Sequence, residues 1–279
     1  MLMRFVSTLA LLTAAVLAVG FPSPAPAQEP EQAEAPAPKR SVFRKLAPGV
    51  EITIAAEMHK EEKQSWHDLI GLLALDSKYG ERPWSKNKAK NVELKHDIWS
   101  LDFTFKPVRL ITVDVPNRRG LFDRKVIWYL YYHVRNPGDK PVKFVPRFLL
   151  YLSDRNKYYA DRILPVANKP IRTREDARRT ILDSVQMSAK EILPSTEGKD
   201  NSVWGVATWE DVDPKTDRFT VYVQGLSNAY KMEPVDDKWK YYRKTLQLNF
   251  WRPGDEFLEN SKEIRYGAPD KLEYEWVYK

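Results

Sequence analysis

The sequence predicts a mainly β protein: an antiparallel β-sandwich of immunoglobulin-like type with a short N-terminal helical segment. Runs of alternating apolar and polar residues recur along the chain, and a period of two is that of a half-buried strand. Turn residues separate roughly eight or nine such runs, a spacing typical of sandwiches. The 279 residues also include 9 Trp, 14 Tyr and 11 Phe, and aromatic side chains favour pleated sheets.

Residues 1–27 have the pattern of a secretory signal peptide. Arg4 supplies the positive start, residues 5–20 are apolar, and the small residues that follow suit cleavage after Ala27. The apolar run is shorter than the ~20 residues that a membrane-spanning helix needs. We therefore expect an exported chain, periplasmic or extracellular, with no transmembrane segment after cleavage.

Residues 28–50 are predicted to be a disordered linker rich in Pro and Glu. Their first part, residues 28–40, holds no aromatic or β-branched residue, so it buries too little apolar surface to fold. Residues 51–95 are expected to pack on the sandwich as a short strand followed by a helix. The helix is predicted over residues 57–75, where apolar residues recur at a spacing close to 3.6.

The sandwich domain is predicted over residues 96–279. Leu101 and Phe103 alternate with polar residues, so one face of that strand is apolar. Pro107 interrupts the run and predicts a bulge or an edge position at Lys106-Pro107. Residues 126–134 are apolar on both faces apart from one histidine, which predicts a central strand covered on each side.

Turn and cap signals organise the rest of the domain. Asn136-Pro137-Gly138-Asp139 has the composition of a type II turn and predicts a hairpin with the run that begins at Val142. Thr173-Arg174-Glu175-Asp176 resembles a helix N-cap with an acid at the third position, so a helix of one or two turns is expected to begin there. Later strands are predicted at residues 202–208, 219–224, 244–250 and 271–277.

The side chains on the apolar phase of these runs form the predicted core. We expect them to be mostly buried, because each faces inward or lies on a doubly covered strand. The set comprises Trp99, Leu101, Phe103, Trp128, Leu130, Phe144, Phe148, Val221, Leu246 and Leu248.

Composition excludes several classes of site. The chain contains no cysteine, so it forms no disulfide, no thiolate metal site and no cysteine nucleophile. The formal net charge is +7, but acids are interleaved with the bases, whereas nucleic-acid binders concentrate their bases on one stripe or helix. We expect neither a nucleic-acid partner nor a cofactor.

No catalytic residue is predicted. The sequence lacks the nucleophile elbow of the α/β-hydrolases, the zinc-binding helix motif of metalloproteases and a glycine-rich phosphate loop. The paired carboxylates of a glycoside hydrolase depend on tertiary distances, which the sequence does not reveal. A non-enzymatic protein is therefore favoured, and enzymatic activity stays open.

Three acids lie close together in the turn between two predicted strands: Asp211, Asp213 and Asp217. Alternating carboxylates in a loop are suitable oxygen ligands for calcium. However, no glycine supplies the sharp turn of a calcium loop, and Asp followed by Pro is ordinary turn chemistry. We predict a structural turn, with a calcium site as the alternative.

Trp239, Tyr241 and Tyr242 are predicted to be a ligand or partner surface. Lys238 and Lys240 flank these rings and keep the stretch in water, and exposed apolar groups in such a setting mark binding sites. The alternative is that the three rings fill the core or a sheet face.

Four strings resemble a family of exported bacterial proteins without known activity. They are WSLDFTFKP at 99–107, VIWY at 126–129, GVATWEDVDP at 205–214 and GLSNAY at 225–230. The resemblance extends over about residues 66–279 and implies export, but no activity, cofactor or catalytic residue. The turn at 136–141 also resembles that of many bacterial immunoglobulin-like modules, which implies a fold and not a function.

The expected function is that of an exported, non-enzymatic binding or structural protein of the cell envelope. Its partner is expected to be a protein or a glycan of the envelope. This expectation rests on the missing catalytic motifs and on a rigid scaffold with aromatic surface. The alternative is a carbohydrate-binding or carbohydrate-active protein.

Overall fold

The protein is mainly β, and its strands form antiparallel sheets. The computed structural model describes residues 46–47, 49–56, 98–235, 238–253, 263–269 and 271–279, all of which belong to one unit, Pro38–Lys279. The predicted signal peptide, most of the linker and the N-terminal helix lie outside these residues. Within them, no helix combines the length and the apolar character needed to cross a membrane.

Sheet 1 is built around one long central strand. That strand, β4, pairs with β2 and β3 along one edge and with β9 along the other, while β1 pairs with β2. The strands of sheet 1 are β1 (Ile52–Ile54), β2 (Asp102–Phe105), β3 (Arg109–Pro116), β4 (Phe122–Arg135) and β9 (Val203–Trp209).

Sheet 2 is built around a second long strand, β12. In order across the sheet lie β11, β12, β10, β6 and β7, and the short β13 and β14 also pair with β12. These strands are β6 (Arg147–Leu152), β7 (Lys157–Ala160), β10 (Arg218–Gln224), β11 (Tyr230–Val235), β12 (Lys238–Trp251), β13 (Arg265–Tyr266) and β14 (Tyr274–Tyr278). A separate pair joins β5 (Val142–Lys143) to β8 (Glu191–Ile192).

The two sheets pack face to face through aromatic contacts. Trp128 meets Phe219 with ring centroids 5.1 Å apart, and Phe103 meets Phe148 at 6.4 Å. The core prediction is confirmed, because nine of its ten side chains are buried. Trp99 is partly buried and packs against the same core.

A helix covers the outer face of β4. Helix α1 (Pro165–Glu175) buries Ala167 and Ile171 against Ile127 and Tyr129 of the strand. This confirms the predicted central strand with cover on both sides. A second, shorter helix, α2 (Ser184–Ser188), follows α1.

The predicted helix start at Thr173 was wrong, because Thr173 lies near the end of α1. The helix begins at Pro165, and a proline suits the first turn because its φ is preset and its missing N–H would have no partner there. Asp176 is the C-cap, and its N–H donates to the Arg172 carbonyl at 3.0 Å.

The predicted hairpin after β4 was also wrong, although its turn exists. The Asn136 side chain accepts from the Gly138 N–H at 2.9 Å and donates to the Lys140 carbonyl at 2.8 Å. The turn is thus closed by a side chain and needs no strand pairing. Val142 pairs with Ile192 instead, and the chain crosses from sheet 1 to β6 in sheet 2.

The predicted irregularity at Lys106-Pro107 is a bulge. Phe105 pairs with Tyr132 and Arg109 pairs with Tyr129, so four steps on one strand (105 to 109) oppose three on β4 (132 to 129). One extra residue therefore separates β2 from β3, which otherwise follow the same edge of β4.

Residues 225–229 make a larger excursion that connects the two sheets. β10 ends with Gln224 opposite Thr245, and β11 begins with Tyr230 opposite Arg243. The residues between them leave β12 and pair with the chain just before β2. There the Leu101 N–H donates to the Leu226 carbonyl at 2.8 Å.

Candidate functional site

A two-stranded ribbon extends sheet 2 beyond its core. It consists of β11 and residues 238–243 of β12, and we call it the β-ribbon. Residues 244–251 of β12 pair with β10, β13 and β14, whereas residues 238–242 pair with β11. Lys238, Trp239, Lys240 and Tyr241 are all exposed, so this half of β12 presents both faces to water.

The β-ribbon brings two of the three predicted ligand residues together. Trp239 and Tyr241 share one face, because side chains two residues apart on a strand point the same way. They are 47% and 60% exposed, and the Tyr230 ring lies 6.0 Å from that of Tyr241. Tyr242 is partly buried on the opposite face. Their role in ligand binding stays a prediction.

Basic side chains accompany these rings. Arg243 lies on the face of Trp239 and Tyr241, while Lys238 and Lys240 lie on the other face by the same alternation. The β-ribbon therefore presents two aromatic rings and an arginine on one face and two lysines on the other. This combination suits a ligand with flat apolar faces and negative charge.

Lys279 holds the base of the β-ribbon. Its backbone exchanges hydrogen bonds of 3.0 and 3.1 Å with Arg243. Its ammonium lies 3.5 Å from the ring centroid of Tyr222 and 4.9 Å from that of Tyr158, and it donates to the Tyr158 hydroxyl at 3.2 Å. The β-ribbon thus projects from an anchored base.

The predicted acidic loop lies between β9 and β10, and its acids have separate partners. The Asp211 carboxylate accepts from the Lys125 ammonium at 3.1 and 3.2 Å, a hydrogen bond that raises the pKa of Lys125. The Asp213 carboxylate accepts from the Lys215 N–H at 2.9 Å. The Asp217 carbonyl accepts from the Arg252 N–H at 2.7 Å.

Such contacts occur in ordinary turns, and both the structural turn and the calcium alternative stay predictions. Asp211 adopts a positive φ of 56°, which Asp tolerates in turns. In the part of the chain that the structure describes, no three His, Cys, Asp or Glu side chains are grouped as metal ligands. A calcium ion at this loop would have to replace the Lys125 contact of Asp211 and the turn bond of Asp213.

A buried charge cluster that the sequence did not reveal lies where α1 meets sheet 1. The Glu175 side chain is 1% exposed and accepts from Arg109 at 2.9 Å and from the Tyr129 hydroxyl at 2.6 Å. The Lys106 ammonium lies 3.2 Å from its other oxygen. The sequence signal was a basic residue on each side of Pro107, but only the fold shows that both meet Glu175.

The cluster keeps Glu175 ionised. Burial alone would raise the pKa of this carboxyl, but the hydrogen bond from Tyr129 and the charges of Arg109 and Lys106 outweigh it and lower the pKa below its usual range. Burial and the same hydrogen bond raise the pKa of Tyr129 well above its ordinary value. The phenol therefore stays neutral and donates to the carboxylate.

A groove lies along β3 beside this cluster. It encloses about 550 Å³ and follows residues 107–112, with Arg124 and Arg174 in its lining. A volume of this size is within the range of roughly 300–1,000 Å³ seen for ligand sites. The groove and the β-ribbon share no lining residue.

Ser184 and Asp161 form a partly buried hydroxyl–carboxylate pair. Ser184 donates to the Asp161 carboxylate, and burial raises the pKa of Asp161. Activation of a serine needs a base that itself is oriented by a third group. His133, the one histidine among the described residues, packs edge-on against Trp204 at 5.3 Å instead.

Comparisons of the chain with protein-family models, curated proteins and solved structures give no match.

Proposed function

We propose that the protein is an exported, non-enzymatic binding protein of the cell envelope, with an immunoglobulin-like sandwich as scaffold and the β-ribbon as its ligand-binding element. Export is supported by the pattern of residues 1–27, with Arg4 before an apolar run and small residues before Ala27. The observation that carries the binding function is the exposure of Trp239 and Tyr241 on the anchored β-ribbon.

The immunoglobulin-like scaffold is supported by the way the chain connects the sheets. Two antiparallel sheets share one aromatic core, and the chain crosses between them after β4 rather than turning back in a hairpin. Such crossings are typical of Greek-key sandwiches. Sandwiches of this kind commonly bind through elements at their ends.

The ligand class that fits the β-ribbon best is an anionic glycan of the envelope. Trp239 and Tyr241 offer apolar ring faces about 6.6 Å apart along the strand, on which the apolar faces of sugar rings can stack. Arg243 on the same face supplies a fork of donors for carboxylate or phosphate groups. Together these groups would recognise both parts of a charged polysaccharide.

The test is binding of the mature chain to an array of anionic and neutral glycans. We expect anionic glycans to bind, and the double variant Trp239→Ala with Tyr241→Ala to weaken that binding at least about tenfold, as for residues central to an interface. Tyr274→Ala is the matched control, because Tyr274 is also an exposed aromatic residue of sheet 2 but lies outside the β-ribbon. Added salt should weaken wild-type binding.

Three outcomes would contradict the proposal. Equal binding by the double variant and the Tyr274→Ala control would show that the ligand binds outside the β-ribbon. No glycan binding at all, together with capture of a purified envelope protein that the double variant no longer captures, would show that the β-ribbon binds protein. Release of a cleaved glycan would show an enzyme.

A further inference from the structure

We propose that the edge of β3 to which no other described strand pairs is a strand-addition site for an extended acidic peptide, separate from the β-ribbon. An edge strand presents a row of unpaired backbone groups, to which an extended peptide can add as a further strand. The proposal rests on three features of the described residues: the direction of the β3 backbone groups, the groove beside them and the charge of its lining.

The first feature is the direction of the backbone groups. In the described part of the chain β3 pairs with β4 alone. At the end of this hairpin the Asn117 N–H donates to the Leu121 carbonyl at 2.8 Å, which assigns the odd-numbered residues of β3 to bonds with β4. Even-numbered residues therefore direct their N–H and C=O groups to the open side.

Two residues of β3 agree with this assignment. The Leu110 carbonyl accepts from the Arg174 guanidinium of α1 at 2.7 Å, so it faces away from β4. Pro116 has no N–H and occupies an even-numbered position, where the ladder to β4 needs none. Thr112 lies between them, with both backbone groups directed into the groove.

The second feature is the groove itself. Its lining follows β3 from residue 107 to residue 112 and includes Leu46, Ala47 and Ile264. A strand that follows residues 108–112 spans about 13 Å, enough for roughly four or five residues of an added strand. The apolar lining gives alternate side chains of that strand a surface to contact.

The third feature is charge. The groove is lined by Arg109, Arg124 and Arg174. Glu175 balances Arg109 at 2.9 Å, and Arg265 balances Glu263, the one acid among the described lining residues, at 2.8 Å. Asp114 lies opposite Arg124 in the pairing of β3 with β4, but among the described lining residues three arginines accompany one acid, which favours acidic side chains on the added strand. A small anion would bind to these arginines without hydrogen bonds to the backbone N–H and C=O of Thr112.

The probe is a fluorescent eight-residue peptide in which glutamate alternates with valine, measured by fluorescence anisotropy against the full-length protein. We expect saturable binding that weakens with salt. A peptide with lysine in place of glutamate tests the charge, and a peptide N-methylated at alternate residues tests the backbone bonds. Both should bind at least about tenfold more weakly.

Two variants test the protein side. Thr112→Pro removes the open N–H and leaves the β4 ladder intact, a change that β3 already accommodates at Pro116. Arg124→Glu reverses an exposed charge of the groove. Each should weaken peptide binding about tenfold or more, whereas Arg118→Glu, an exposed arginine outside the groove, should change it less than about twofold. Melting temperatures confirm that the variants fold.

Three results would overturn the proposal: no binding of the glutamate–valine peptide, equal binding of its N-methylated form, or full competition by glutarate at the same concentration. The last would show a site for small anions. The double variant Trp239→Ala with Tyr241→Ala should bind the peptide normally, so that loss of the proposed glycan binding and loss of this site are distinguishable.

Discussion

Glu175 joins the C-terminal end of α1 to the outer face of sheet 1 through a buried group of charges. It is held by Arg109, Lys106 and the Tyr129 hydroxyl, and none of these partners is fully exposed. Removing one member of a buried charge group is costly, because the remaining charges lose their compensation without regaining full hydration. The stability of the protein should therefore depend on this carboxylate.

Glu175→Gln should lower the free energy of unfolding at pH 7 by about 3 to 5 kcal/mol. The amide keeps the shape of the side chain but removes the carboxylate that balances Arg109 and leaves Lys106 with the Glu51 carboxylate at 4.0 Å. Urea denaturation monitored by tryptophan fluorescence measures the loss. Glu197→Gln, at an exposed carboxylate, is the control and should be nearly neutral. A loss below about 1 kcal/mol for Glu175→Gln would contradict the assigned role.

The same cluster sets a pH dependence. The pKa of Glu175 is lower in the folded state than in the unfolded chain, so its contribution is present above the unfolded pKa of about 4.3 and is lost as pH falls through the lower folded value. The stability difference between wild type and Glu175→Gln should therefore shrink in acid below about pH 4.

Individual core residues were predictable from the sequence, whereas their partners were not. Phe103 and Trp128 lie on runs whose period fixes which face is apolar, and both are buried. The sequence placed Glu175 in the first turn of a predicted helix. That prediction failed because an N-cap signature is a short pattern that also occurs by chance at the C-terminal end of a helix. Glu175 and Lys106 are 69 positions apart in the sequence, so no local pattern predicts their contact.

The segment of residues 225–229 is the element that ties the sheets together. Gly225 has φ of +93°, and a Cβ at this position would lie 2.3 Å from the Val145 carbonyl oxygen. The chain can leave β12 here because glycine permits both this backbone conformation and the close approach. The string at 225–230, one of those that carried the family resemblance, thus has a defined structural role.

Gly225→Ala should destabilise the protein more than Gly120→Ala does. Both positions have positive φ, but nothing lies within 4 Å of a Cβ at Gly120. An alanine at either position carries a strain of roughly 1 to 2 kcal/mol from its left-handed backbone conformation. The difference between the urea midpoints of the two variants therefore measures the cost of the contact with Val145. Equal losses of stability in the two variants would show that residues 225–229 move away from Val145 without an energetic cost.

Strand positions followed from alternation, but strand pairing did not. The predicted runs at 202–208 and 219–224 correspond to β9 and β10. Val142 was assigned to the wrong partner, because a period of two specifies the buried face and not the neighbouring strand. β11 was missed because Pro234 argues against a strand, yet a proline is tolerated in a strand at the end of a sheet.

The two sheets share one core in the described residues. Aromatic contacts cross the interface at several points, and residues 225–229 pair with the chain before β2. A single cluster of buried apolar residues contains side chains from both sheets. Neither sheet can lose its partner without exposing that cluster.

We therefore expect one unfolding transition. Tryptophan fluorescence, which reports on Trp128 and Trp209 in sheet 1 and on Trp251 and Trp276 in sheet 2, should give the same urea midpoint as far-UV circular dichroism, to within about 0.2 M. Two separated midpoints would mean that the sheets unfold independently and that the interface contributes less than its burial indicates.

The length of β12 has a mechanical consequence. Its 14 residues run without interruption from the tip of the β-ribbon into the centre of sheet 2, a distance of about 46 Å. A pull on a ligand held at Trp239, directed along the strand, reaches the ladders to β10 and β14 as shear. Many hydrogen bonds then share the load at once, so sheet 2 should resist tension that is applied through the β-ribbon.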